Sequence, residues 1–157
     1  MEILFKEKQK IDSIWPLSIL ATVLVFNWFL YFRMGYTDIT FFYICLSSFG
    51  ILSLYLGTLR METEIDANEI RYKLFPFKSK WQTIPLNQIK SLEVRSYKAF
   101  KEFGGRGSRT KRGQSAITLA GNQGLQIHFK SNQKLSLLIG TLKPDEIKEV
   151  ISKLNLK

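Results

Sequence analysis

The chain has 157 residues, a formal net charge of +10, a single cysteine and a single histidine, with a mean hydropathy of −0.04. One cysteine excludes an intrachain disulfide framework and thiolate metal clusters, and with one histidine neither a zinc site nor a Cys-His pair can be assembled. The charge is uneven: residues 60–157 hold 19 of the 23 Lys and Arg and 9 of the 13 Asp and Glu, which accounts for the whole excess, whereas residues 1–59 are neutral.

Residues 1–13, with Lys6, Lys8 and Lys10, read as a basic N-terminal flank. Two uncharged apolar runs follow, at 14–32 (19 residues) and 39–59 (21 residues), separated by Arg33-Met34-Gly35-Tyr36-Thr37-Asp38. About 20 apolar residues in a helix match a hydrocarbon core roughly 30 Å thick, so the expectation is a transmembrane hairpin over 14–59. Buried helices of a soluble core seldom run this long without a charge, and a cleaved signal peptide would have a shorter apolar run and no second run after it. Lys and Arg concentrate outside the short turn, which places both termini in the cytoplasm of a multi-pass plasma-membrane protein. Trp28, Tyr31, Tyr36 and Tyr43 around the turn, with Trp15 at the other end, suit interface belts. Ser47, Gly50, Ser53 and Gly57 share one helical face, where small side chains let backbones approach; the partner is either the first run or a second copy. Asn27 is the one strongly polar side chain in either run and reads as an interhelical hydrogen-bond donor. The absence of an ionisable group there disfavours a channel or transporter.

The remainder, 60–157, reads as one small domain. Period-2 alternation marks strands at 62–66, 70–74, 80–84, 89–97, 115–120, 125–130 and 134–139. Turns are expected at Asp66-Ala67-Asn68-Glu69, Gly121-Asn122-Gln123-Gly124 and Ser131-Asn132-Gln133. Glu62, Glu64 and Asp66 read as solvated positions of an edge strand, and His128 as a surface histidine. At Lys143-Pro144-Asp145-Glu146 the period changes, and Ile147, Val150, Ile151 and Leu154 form the apolar stripe of a closing helix.

Ile84-Pro85-Leu86 leading to Ile89, Gly104-Gly105-Arg106-Gly107, Gly121 to Gly124, and Leu138-Ile139-Gly140-Thr141 before Pro144-Asp145-Glu146 carry a resemblance over 61–155. The pattern resembles small bacterial membrane proteins in which a two-span hairpin precedes a pleckstrin-homology-like domain. The resemblance implies a membrane α-hairpin plus a mainly-β domain of about seven strands capped by a C-terminal α-helix. It implies little about activity, because this superfold hosts many binding roles. Its first hairpin loop, 66–69, is net negative here, so phosphoinositide binding is not carried over.

The most distinctive segment of the domain is 95–112, where Arg95, Lys98, Lys101, Arg106, Arg109, Lys111 and Arg112 face Glu102 alone, +6 in 18 residues. Its glycines favour a long loop over regular structure. The pattern matches neither a P-loop nor a recognition helix, so nucleotide and nucleic acid are disfavoured. The expected function is non-enzymatic: a protein-interaction or assembly module at a membrane surface, with no cofactor and no metal. Its partner would be another protein or a second copy. The alternatives are an anionic-lipid sensor working through 95–112 and an accessory subunit of a larger complex for transport or self-protection.

Overall fold

A computed structural model describes residues 3–10, 14–34, 39–111, 113–131 and 135–154, with side chains at all of these except 14–17, 31, 34, 39–42 and 44–45. The chain divides into two units, one of Met1–Lys10 with Arg60–Lys157 and one of Ile11–Leu59.

Among the described residues the first unit is built on nine strands in two sheets. β1 (Ile3–Lys10), β2 (Arg60–Asp66), β3 (Glu69–Phe75) and β4 (Lys78–Pro85) form an antiparallel sheet in that order. After a 3-10 turn at Leu86–Gln88, β5 (Ile89–Ser96) opens the second sheet. Helices α1 (Ile14–Met34) and α2 (Ile39–Gly57) belong to the other unit; in this one α3 (Ala99–Phe103) follows β5 and leads into β6 (Gly107–Lys111). β7 (Gln114–Thr118), β8 (Gln123–Phe129), β9 (Ser136–Thr141) and α4 (Pro144–Lys153) complete the unit. The second sheet runs β5-β8-β9-β7-β6, with β7 and β9 parallel and the other pairs antiparallel.

Alternation explains the strands. Met61, Thr63 and Ile65 on β2 and Ile70, Tyr72 and Leu74 on β3 are buried, while Glu62, Glu64, Arg71 and Lys73 alternate with them and carry charge. β9 is buried along its whole length because it is central and covered on both faces. Leu138 on one face of β9 joins Tyr97, Ala99, Phe103 and Ala116. α4 sets Ile147 and Val150 into the core against β5, β1 and β8. Burying a side chain of this size contributes roughly 1.5–3 kcal/mol.

The expected fold class is corrected here. The seven strands read from alternation correspond to β2–β5 and β7–β9, but there are nine, in two sheets, and the pleckstrin-homology-like resemblance fits this arrangement only loosely. β1 comes from the segment read as a flank, because Lys6-Glu7-Lys8-Gln9-Lys10 alternates polar with polar and gives no apolar signal. β6 comes from the segment read as loop. β7 and β8, consecutive across a short turn, do not pair; β9 lies between them.

The second unit holds α1 (Ile14–Met34) and α2 (Ile39–Gly57), and Leu20, Val23, Leu24 and Asn27 of α1 share a small apolar gap with Leu46 and Phe49 of α2. Among the described residues no helix is long and apolar enough to cross a membrane. The two-span membrane hairpin and the multi-pass plasma-membrane localisation with both termini cytoplasmic are corrected accordingly.

Candidate functional site: a cationic helix-and-strand face

The two sheets treat their charges differently. On the first, the register brings Lys6 opposite Glu64 and Glu64 opposite Arg71, and likewise Lys8, Glu62 and Lys73. The side chains meet as the register requires: Lys6–Glu64 at 2.8 Å, Arg71–Glu64 at 3.4 Å, Lys8–Glu62 at 3.5 Å and Lys73–Glu62 at 2.8 Å. β2 is thus an acidic central strand between two basic ones, and each such cross-strand pair contributes about 0.2–1 kcal/mol. The hydrogen bond from Lys73 holds the Glu62 carboxyl below its ordinary range, and the bond to Glu64 holds Lys6 above its own. Glu62, Glu64 and Asp66 are therefore not solvated edge positions. Glu64 and Asp66 are buried, and Asp66 Oδ1 also accepts the Asn68 and Glu69 N–H groups, shaping the β2–β3 turn.

In the second sheet, segment 95–111 folds into the end of β5, α3 and β6. Glu102 organises it. Its Oε2 receives Arg95 Nη1 at 2.8 Å and its Oε1 receives the Lys98 backbone N–H at 2.8 Å, which closes the first turn of α3. Arg95 Nε also donates to Gln126 Oε1 at 3.0 Å. Burial acts to raise the Glu102 carboxyl, but the Lys98 N–H and the Arg95 guanidinium outweigh it and hold it below the ordinary value. Gly104 ends α3 in the left-handed conformation at φ 74°, and its N–H returns to the Phe100 carbonyl. Tyr97 and Phe103 anchor the segment in the core; burial raises the Tyr97 phenol above its ordinary value.

The expected site residues are distributed as follows. Arg95 is neutralised by Glu102 and belongs to the scaffold. Lys98, Lys101, Arg106, Arg109 and Lys111 are exposed, and among the described residues no carboxylate lies within ion-pair distance of any of them. Arg106 Nη1 donates to the Leu119 carbonyl at 3.0 Å, and Arg109 Nε donates to the Arg106 carbonyl at 3.3 Å. These bonds fix both guanidiniums against the strand without cancelling their charge. Arg109 lies over Gly105, where an added Cβ would make only ordinary van der Waals contact with the guanidinium at 3.6 Å, so it is the φ of 140° that favours glycine there. Arg112 lies outside the described residues. Phe100 projects from α3 at 77% exposure, between the two lysines of that helix region.

The proposed helix-packing stripe is less coherent. Gly50 and Ser53 are half-buried and Ser47 and Gly57 exposed, and a methyl group added at Gly50 or Gly57 would meet no atom within 4 Å. Asn27 donates to the Val23 carbonyl of its own helix at 2.9 Å. Val25, Trp28, Phe32, Ile51 and Leu54 are exposed on the two helices, with Trp28 stacked on Phe32.

Two residues that sequence reasoning missed are Glu7 and Gln9. Buried on β1, Glu7 accepts from Thr141 Oγ1 at 2.6 Å and the Leu142 N–H at 2.8 Å. Gln9 Nε2 bridges Glu7 Oε1 and the Gly140 carbonyl. Their only sequence signal is that they fall in phase with Phe5. Among the described residues no group of His, Cys, Asp or Glu is arranged to hold a metal ion. His128 lies on β8 with Nε2 3.6 Å from Glu93.

No protein-family model matches the chain, nor does any curated protein or solved structure.

Proposed function

We propose that this chain is a non-enzymatic interaction module whose cationic face over 98–111 holds an acidic surface of a protein partner. The observation that carries this reading is the contrast between the sheets. Lys6, Lys8, Arg71 and Lys73 are matched to carboxylates across the first sheet, whereas among the described residues Lys98, Lys101, Arg106, Arg109 and Lys111, on and around α3 and β6, have no carboxylate within ion-pair distance of their charged groups. Concentrating like charge costs stability through self-repulsion, and a complementary partner relieves that cost while gaining in encounter rate.

One observation favours a second reading. An exposed Phe100 among lysines also suits an anionic lipid surface, where each nearby cation is worth about 1 kcal/mol.

Binding of the full chain to immobilised poly-L-glutamate, compared with phosphatidylglycerol vesicles, separates the two. The protein reading expects retention on poly-L-glutamate that weakens with salt and is lost when Arg106, Arg109 and Lys111 are changed to Glu. Retention on vesicles alone, lost on Phe100→Ser, overturns it in favour of the lipid reading.

A further inference from the structure

We propose that the outer edge of β6 accepts an extended acidic segment of the partner as a sixth strand of the second sheet, an inference that rests on the interaction reading above and specifies its mode. Among the described residues β6 is the last strand of its sheet and pairs with β7 alone. The register places Lys111 opposite Gln114, so the hairpin closes on two residues. In such a hairpin the pair next to the turn exchanges its main-chain hydrogen bonds, and hydrogen-bonded pairs alternate along the ladder. Lys111, Arg109 and Gly107 therefore direct their N–H and C=O groups at β7, while Ser108 and Thr110 direct theirs outward. Both of these residues are exposed.

An incoming strand would find two things at this edge. The main-chain groups of Ser108 and Thr110 provide sequence-independent hydrogen bonds, the basis of strand addition. Arg109 and Lys111, two apart on one face of the strand, meet every second side chain of the newcomer, and opposite charges at facing positions stabilise the pair. The same charges disfavour a second copy of β6 as the occupant, because like charges would face each other. The other edges are less suited. β5 is packed by α4, and the cations of β1 are matched to Glu62 and Glu64. β4 has Lys78 and Lys80 without a partner carboxylate among the described residues and so serves as the internal comparison.

The test uses the full chain and a fluorescent peptide of alternating Glu and Thr, with affinity read by anisotropy. Arg109→Glu with Lys111→Glu is expected to weaken binding by about tenfold or more, from lost charge pairing. Thr110→Pro keeps every charge but removes one outward N–H, and edge strands tolerate proline there; it too is expected to weaken binding by about tenfold. Lys80→Glu is expected to change affinity less than about twofold, as a distant surface charge would. A peptide N-methylated at alternate residues cannot extend the ladder and is expected to lose binding to the unaltered chain, a measurement that does not depend on how well any variant folds. Full binding by the N-methylated peptide, or by Thr110→Pro, alongside loss on charge reversal overturns strand addition and leaves the cationic-face reading standing. No binding of either peptide overturns both, and a dominant effect of Lys80→Glu moves the site to β4.

Discussion

Replacing Glu7 by Gln conserves shape, removes the charge and turns one acceptor oxygen into an NH2 donor, so it tests whether the buried bridge from β1 to β9 holds the fold together. The carboxylate takes three donors: Thr141 Oγ1 at 2.6 Å, the Leu142 N–H at 2.8 Å and Gln9 Nε2 at 3.1 Å. Thr141 Oγ1 is itself committed, since it accepts the Lys143 N–H at 2.9 Å at the entry to α4. A glutamine can turn its oxygen to the Leu142 and Gln9 donors or to Thr141, not to all three. Hydrogen bonds to a charged group contribute about 1.5–3 kcal/mol and neutral ones about 0.5–1.5, and a donor stranded in the core adds its desolvation penalty. The expected loss for Glu7→Gln is therefore about 1–3 kcal/mol. Native-state hydrogen exchange at β1 and β9 amides reads this loss for the β-sheet unit alone, free of the helical unit. A double-mutant cycle with Thr141→Val isolates the coupling, which neighbours in one network should show at about 0.5–3 kcal/mol. Protection of β1 and β9 unchanged in Glu7→Gln, with no coupling to Thr141, would show that the Glu7 bridge does not hold β1 to β9.

Three further outcomes follow from packing and charge. Gly124→Ala should destabilise the β-sheet unit by about 1–3 kcal/mol, because its Cβ would lie 2.9 Å from the Ile139 carbonyl oxygen, a backbone atom that cannot step aside; denaturant midpoints measure it, and a neutral result would show that β8 and β9 have slack. Gly50→Ala meets no atom within 4 Å and should be neutral or stabilising by up to about 1 kcal/mol, whereas a clear loss in thermal melting would reinstate close helix approach at that position. For pH, Glu62 and Glu102 have folded-state values below their unfolded ones, so their contribution is present above about pH 4.3 and is lost as pH falls through the folded values. Lys6 is raised, so its contribution is full below about pH 10.4 and is lost as pH rises through the folded value. Melting temperature against pH should show a plateau between those limits, and Glu62→Gln should soften the acid limb; a melting temperature that keeps rising below pH 4 contradicts both assignments.

Alternation was legible wherever apolar and polar residues took turns, as at Leu125-Gln126-Ile127-His128-Phe129, which is β8. It was silent where both faces of a strand are polar. β1 alternates Lys with Glu and Gln, since its inner face is a hydrogen-bonded bridge and its outer face an ion-pair ladder. β6 is exposed along most of its length, so nothing apolar announces it, and its flanking glycines read as loop although Gly104 serves to stop α3. The cations of 95–111 were visible as a charge run. That Arg95 is spent on Glu102 while five others stay unmatched required the fold, because Glu102 meets Arg95 only once α3 is placed beside the end of β5. The charges of β2 show the same dependence: Glu62, Glu64 and Asp66 look solvated until β1 and β3 are placed beside them.

Mapping amide chemical-shift changes on the isotopically labelled full chain as poly-L-glutamate is added shows whether α3 and β6 form the binding face. Changes are expected to concentrate at Lys98, Lys101 and 106–111 and to shrink as salt is raised, with β1–β3 unmoved because their charges are already matched. Changes centred on β4 at Lys78 and Lys80, or none at any ligand concentration, would contradict a binding face at α3 and β6.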